Sequence, residues 1–326
     1  MINGDNAEIG MDQKIKLGIS SCLLGEKVRY DGGLKPDHYL KNTVGHFVEW
    51  TPVCPEVECG LSVPREAMYL TGSPDAPRLV TRRTGIDYTG QMQQWAAQKI
   101  RELKKADLNG FIFKSKSPSC AISGLKVYDS HGAPGRRGTG MFTRIFMENF
   151  PLVPAEDEAG LHNPELRDNF IERVFVYWRW QEYSRAGRSI KGLVSFHTDH
   201  KLLLLSHSTR HYTYLGRLVA DAKNRKPSDL HSEYVSALME GLRLIATVKK
   251  NTNVLQHIAG YFRKKFSPDE KHELLGIIET YHSGLVPLLV PITVINHYAK
   301  KFDDPYLSRQ HYLNPHPTEL MLRTHA

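Results

Sequence analysis

Three runs of apolar, β-branched and aromatic residues in this chain each end in a turn that carries a cysteine: Cys22 in GISSCLLGEKVRYDGG, Cys54 in TPVCPEVECGLSVPRE and Cys120 in GFIFKSKSPSC. Runs of that composition read as buried strands. Open α/β sheets hold their sites at the carboxyl ends of the strands, so the pattern predicts three thiols gathered at one edge of one sheet. Three thiols at one edge suggest a metal centre, and three ligands rather than four leave a coordination position open to substrate. Structural zinc sites draw on close pairs such as CxxC, and cysteines at 22, 54, 59 and 120 contain none. The Cys54-x4-Cys59 spacing also lacks the C-x2-C that completes a ferredoxin pattern. A cluster held by three separate loops and a set of buried free thiols both remain open on spacing alone. Unpaired cysteines of this kind suit a reducing compartment.

From Lys16 to about Leu152 the chain alternates. Strand-like runs (KLGISSCLL, HFVEWTPV, GFIFK, FPLV) are separated by turns and by one amphipathic helix, TGQMQQWAAQKIRELKKAD, with Met92, Trp95, Ala96, Ile100 and Leu103 on its apolar face. Such alternation implies an α/β domain with a mostly parallel, Rossmann-like sheet. Residues 64–85 and 129–140, rich in Gly, Pro and Arg, read as loops over the cysteine edge. A helix beginning at the cap Asn163, with Pro164 in its first turn, is expected to close this domain near Arg185. After Gly187 helical patterns follow one another, and Ser267-Pro268-Asp269-Glu270 has the form of a helix start. The expected organisation is therefore an α/β domain over 12–187 and an all-α domain over 188–326. Met11 opens MDQKIKLGISSC, so residues 1–10 read as an upstream extension without a structural role.

The formal charge of +8 is uneven: residues 1–187 hold 24 Lys and Arg against 23 Asp and Glu, whereas residues 188–326 hold 19 against 12. The second half also holds 12 of the 16 histidines. A basic helical domain with interleaved aromatics has the charge that meets phosphates, although a solvated basic face would look the same. No uncharged apolar stretch approaches the ~20 residues of a membrane span, and the first residues lack the shape of a signal peptide. A cytoplasmic protein without a membrane partner is expected.

The segments SSCLLGEKVRYDGG, PVCPEVECGL-x-VPRE and FKSKSPSC resemble the signature segments of the thiouracil desulfidase family, in order and spacing, over roughly residues 15–155. The resemblance implies a 4Fe-4S cluster bound by Cys22, Cys54 and Cys120 with one open iron, and leaves Cys59 as a bystander. It also implies catalytic roles for Glu56 and Ser117; read without it, Ser117 caps a loop and Glu56 is neutralised by Arg29 or Arg65. Lys114 and Lys116 could offset cluster charge or hold a substrate phosphate. Asp31, in the VRYDGG turn, is placed to hold Arg29 or to accept a base edge. The implied reaction is a hydrolytic, non-redox exchange of thiocarbonyl sulfur for oxygen.

In the second half, FHTDHKLLLLSHS, YLGRLVA, NVLQHIAGYFRKKFSPDEKHELL and VPLLVPITVINHYAKKF resemble the YbgA-type helical domain. A desulfidase domain joined to this helical domain is similar to the two-domain enzymes that remove sulfur from 4-thiouridine in tRNA. That combination implies tRNA as the partner, with Arg210, Arg217, Lys249, Lys250, Arg263, Lys264 and Lys265 as candidate phosphate contacts. The alternatives are a desulfidase acting on free thiouracil or thionucleosides, and an RNA-binding or redox-sensing iron–sulfur protein. His197, His200, His207 and His211 share helical spacing, but without further acidic partners they read as core or phosphate-facing residues rather than metal ligands.

Overall fold

The computed structural model describes residues 14–129 and 132–316. They fall into two units, divided between Leu161 and His162. The expected boundary at 187 is therefore displaced by one helix. In the α/β unit the strands are β1 (Ile15–Ser20), β2 (Val48–Val53), β3 (Met68–Ser73), β4 (Ala76–Thr81), β5 (Gly110–Phe113), β6 (Leu125–Tyr128), β7 (Pro134–Gly138) and β8 (Ala155–Asp157). The helices are α1 (His38–Asn42), α2 (Pro55–Glu58), α3 (Thr89–Ala106), α4 (Met141–Asn149) and α5 (Glu158–Leu161).

The first sheet has the order β2-β1-β5-β8 and every pairing in it is parallel. Its strands are the apolar runs read from the sequence, with one shift: Phe150–Val153 is not a strand, and β8 begins at Ala155. Both faces of a parallel sheet are covered, which is why Leu17, Ile19, Phe111, Ile112 and Phe113 can all be buried on consecutive or alternate positions. Helix α3 packs Met92, Ala96, Ile100 and Leu103 inward, as its 3.6-residue spacing requires. Helix α4 brings Phe142 and Phe146 against Phe111 and Phe113, with ring centroids 4.8–6.2 Å apart.

A second sheet, β4-β3-β6-β7, is not legible as strands in the sequence. Residues 64–85 read there as loop, yet β3 and β4 form an antiparallel hairpin, and 129–140 contributes β7 beside β6. The driving residues are Met68, Leu70, Leu79 and Val127, which bury with Cys59, Met92 and Met141 in one cluster. Only one face of this sheet is covered, so its polar outward residues mask the alternation.

The second unit contains helices α6 (Pro164–Arg185), α7 (Ile190–His207), α8 (Thr209–Ala220), α9 (Pro227–Leu242), α10 (Val248–Tyr261), α11 (Pro268–His282) and α12 (Leu289–Lys301). The cap at Asn163 forms, its side chain accepting from the Leu166 N–H at 3.2 Å, and Ser267 and Glu270 close a reciprocal capping box. Helix α6 belongs to this unit because its buried face is made for it: Trp180 stacks on Tyr234 of α9 at 5.4 Å and meets Phe196 of α7 edge-on at 5.3 Å. Moving α6 across leaves the charge contrast intact, since residues 162–326 hold 23 Lys and Arg against 16 Asp and Glu. Residues 1–10, expected to be an extension, lie outside the described residues. No described helix is long and apolar enough to cross a membrane.

The turn before α4 is packed so closely that only glycine fits. A Cβ on Gly140 would stand 2.6–2.7 Å from backbone atoms of Ser119 and Cys120. Gly140→Ala should lower stability by about 1–3 kcal/mol by forcing that backbone apart, read as a lower urea midpoint with an unchanged m-value.

Candidate active site

Because β2, β1 and β5 are neighbours and parallel, their carboxyl ends share one edge. Cys22 lies two residues past β1 in a short 3-10 turn (Ser21–Leu24), which is closed by Gly25 in the left-handed region at φ 92°. Cys54 follows β2 directly and starts α2, its N–H donating to Oε1 of Glu58 at 2.7 Å. Cys120 follows β5 after the loop KSKSPS, and its N–H donates to Ser117 Oγ at 3.2 Å while its carbonyl accepts from the Thr143 hydroxyl. All three cysteines line one cavity of about 350 Å³, at the small end of the range for ligand pockets. Cys59 is not among its lining residues. It packs in the cluster under the second sheet, its thiol directed at the Glu56 carbonyl at 3.3 Å.

Among the described residues Glu56 is the one carboxylate in the cavity wall, and both its oxygens are engaged. Oε2 accepts from Arg65 Nε at 2.8 Å and also from its Nη2. Oε1 accepts from the hydroxyls of Ser119 at 3.0 Å and Ser117 at 3.3 Å. Arg65 further donates from Nη2 to the Val28 carbonyl at 2.9 Å, so one guanidinium ties the carboxylate to the loop after Cys22. The sequence places Glu56 and Ser117 near each other only through their cysteine neighbours. It does not single out Ser119, since nothing in SPSC says which serine turns inward.

The cavity is rich in positive charge: Arg29, Lys35, Arg65, Lys114 and Lys116 line it. Lys114 is paired with Glu158, a residue sequence reasoning does not find because it comes from α5, 44 residues away. Glu158 also accepts from the Ser115 N–H at 2.6 Å. Arg29 is held by Asp31, whose oxygens accept from Nε at 3.1 Å and Nη2 at 2.9 Å, and Asp31 itself does not line the cavity. That bonding, with the Gly33 N–H, pulls the Asp31 carboxyl down to about 2. Lys116 has no carboxylate partner among the described residues.

Burial pushes the Cys22 thiol up to about 11, against the opposing pull of Lys114. Burial likewise raises Cys54 and lifts Cys120 well above the ordinary thiol range. Thiols in such surroundings ionise only with a compensating cation, and a thiolate-binding metal is the usual one. Among the described residues no three His, Cys, Asp or Glu side chains form a group that could hold a single ion. The three thiols share a cavity without closing on one point.

In the helical unit the four histidines singled out by their spacing are buried, and each has a hydrogen-bond partner on one ring nitrogen at least, although His200 Nε2 has none among the described residues. His197 Nδ1 pairs with the Tyr234 hydroxyl at 3.1 Å, and His200 Nδ1 with the Phe196 carbonyl at 2.7 Å. His207 bridges the Leu244 carbonyl and Glu172, and His211 sits on Ser208 Oγ at 2.8 Å. Of the candidate RNA contacts, Arg210, Arg217, Lys249, Arg263 and Lys264 are exposed. Lys250 instead donates to the carbonyls of His207 and Ile245, both at 2.8 Å, and Lys265 pairs with Asp304 at 3.1 Å. Lys249 opens α10 and Arg263 follows its end, about 20 Å apart at 1.5 Å per residue.

The α/β unit, with three thiols and a clamped carboxylate at one sheet edge, is also the part of the chain that one family model matches. Residues 17–158 match the family described as 2-thiouracil desulfurase, and residues 201–317 match a family described as a protein of unknown function, DUF1722. The desulfurase match thus falls on the α/β unit and the second match on the helical unit. The uncharacterized protein YbgA of Escherichia coli (strain K12) is 32% identical over 157 residues, which cover 48% of this chain and 93% of that protein. The chain belongs to the YbgA family and carries the desulfurase domain with it. A solved structure of the 4Fe-4S-dependent thiouracil desulfidase TudS is 27% identical, with a TM-score of 0.37, and the match covers 46% of this chain and 94% of that one.

Burial raises the Glu158 carboxyl, but the hydrogen bonds from Lys114 and Ser115 outweigh it and leave Glu158 below its ordinary value. A depressed carboxylate stabilises the fold above its unfolded pKa, and that stability is lost as pH falls through the folded pKa. Glu158→Gln should therefore be less stable than wild type near neutrality, with the difference shrinking as pH drops below about 4.5. Urea midpoints across pH 3–7 test this, and parallel curves at all pH values would contradict it.

Proposed function

We propose that the chain is a 4Fe-4S-dependent desulfidase that converts 4-thiouridine in tRNA to uridine with release of sulfide. The observation that carries the reading is the arrival of three cysteine thiols, from three strand ends, in one cavity beside a carboxylate already bonded to a serine hydroxyl. The donor set fits a cluster: Cys22, Cys54 and Cys120 are soft ligands from separate segments that line one cavity, and lysine and arginine line the wall around them. A cluster held by three thiolates supplies an iron with one exchangeable position, a Lewis acid matched to thiocarbonyl sulfur.

The chain's own groups do the rest. The C=S bond is replaced by C=O from water, and sulfur leaves as sulfide with the water's protons, so no electrons are transferred. Glu56, fixed by Arg65, takes a proton from the attacking water through Oε1, and Ser117 relays it toward the base or the departing sulfur. Lys114 and Lys116 counter the negative charge that develops in the cavity. The YbgA-type unit supplies RNA affinity, with the exposed Arg210, Arg217, Lys249, Arg263 and Lys264 as backbone contacts; Lys250 and Lys265 contribute charge from their structural ties. A tRNA substrate places the reaction in the cytoplasm.

The family description names a free base, 2-thiouracil, which keeps a second reading in play: the same chemistry on thiouracil or a thionucleoside. Anaerobically purified protein is incubated with 4-thiouridine tRNA and, separately, with free thiouracil, and sulfide is measured. The account expects sulfide from tRNA at much the higher kcat/KM. Preference for the free base would select the second reading, and sulfide from neither would make the cluster regulatory. Glu56→Ala and Ser117→Ala should keep the absorbance of the cluster and lose on the order of 10²-fold or more in kcat.

A further inference from the structure

A groove of about 390 Å³, lined by residues of the second sheet, shares Met68, Ser115, Lys116 and Pro118 with the cysteine cavity. The two spaces therefore have one lip in common. The groove floor is aromatic and its charges are positive. Tyr69 and Tyr128 meet edge to face at 5.5 Å, and the Arg82 guanidinium lies over both rings at 5.6 and 6.0 Å. Lys116 and Lys126 also line it, and no acidic residue is among its described lining residues.

Register adds an independent observation. Lys126 of β6 is directly opposite Arg137 of β7, so two cations occupy one cross-strand pair on the outward face. Like charges placed opposite each other are destabilising, and an anion between them removes the penalty. Lys116, at the shared lip, holds a positive φ of 60° without being glycine, an uncommon conformation for a residue with a side chain. None of Arg82, Lys116 or Lys126 has a carboxylate partner among the described residues.

Resting on the desulfidase reading above, we propose that this groove binds the strand of RNA flanking the reacting nucleotide. The base to be desulfurated enters the cysteine cavity. A neighbouring base stacks on the Tyr69–Tyr128–Arg82 surface, and the adjoining phosphates lie against Lys116, Lys126 and Arg137. Cations interleaved with aromatic faces are what single-stranded nucleic acid requires: phosphates take the charge, and any base has a face that can stack. The substrate is then a nucleotide within a strand, presented unpaired.

The test uses the full chain and a fluorescent single-stranded oligoribonucleotide without sulfur, so that binding is read independently of turnover. Anisotropy is measured across a salt series. Arg82→Gln with Lys126→Gln should lower the slope of log K against log salt by up to about 1.4, at ~0.7 for each phosphate that is no longer neutralised. Tyr128→Ala should weaken binding about tenfold. As these side chains are partly or fully exposed, thermal melting should stay close to wild type. A second measurement needs no variant: an oligoribonucleotide carrying 5-iodouridine, irradiated on the wild-type chain, should cross-link to Tyr69 or Tyr128. An unchanged salt slope, or cross-links confined to residues 162–326, would overturn the groove. Uridine monophosphate displacing the oligonucleotide at equal nucleotide concentration would overturn the strand in favour of a single nucleotide. A failure of tRNA desulfuration with these binding results intact would strike the functional reading instead.

Discussion

Everything in the site depends on three parallel strands lying side by side. Because β1 is hydrogen-bonded to β2 on one side and β5 on the other, residues far apart in sequence leave the sheet at the same height and the same edge. Cys22, Cys54 and Cys120 need no long-range contact of their own to be brought together; the backbone ladder does it. The packing that holds this ladder is ordinary. Leu17, Ile19, Phe111 and Phe113 fill the sheet faces, and Phe142 and Phe146 cap them from α4. The same helix start carries Gly140, whose missing Cβ lets the backbone of Ser119 and Cys120 close on it. Core packing and the placement of the thiols are thus one constraint.

Electrostatics then decides what such a site can hold. Burial alone would keep the thiols protonated, since it raises all three. The positive wall of Arg29, Lys35, Arg65, Lys114 and Lys116 works in the opposite direction and favours anions, whether thiolate, sulfide or phosphate. Most of these cations are themselves anchored: Arg65 by Glu56, Lys114 by Glu158, Arg29 by Asp31. Anchoring fixes where charge sits before any substrate arrives, which is the condition for electrostatic stabilisation of a transition state. Among the described residues Lys35 and Lys116 have no carboxylate partner, and Lys116 stands at the lip where cavity and groove meet.

The first sheet is legible in the sequence because buried parallel strands are continuous apolar runs, and GISSC, TPVC and GFIF announce both their strands and their ends. The second sheet is not, because its outward face is Tyr69, Thr71, Lys126 and Tyr128, and its inward positions are too few to show alternation against nearby Gly and Pro. The same blindness hides the groove, which exists only once β3 and β6 pair. Arg65 can be named as a partner for Glu56 from the short segment between them, whereas Glu158 cannot, since only β8 beside β5 brings α5 to Lys114. Helix α6 is drawn to the wrong neighbour for a related reason: its periodicity shows that a face is buried, not against what, and Trp180 on Tyr234 answers that.

On the proposed function, the three cavity cysteines, and not Cys59, hold the cluster. Iron and acid-labile sulfide are counted per chain after anaerobic reconstitution of the wild type and four single variants. About four of each are expected in the wild type and in Cys59→Ser, as a 4Fe-4S centre requires. Cys22→Ala, Cys54→Ala and Cys120→Ala should each lose most of both, together with the broad visible absorbance. A full complement of iron in any of those three variants, or its loss in Cys59→Ser, would contradict the account.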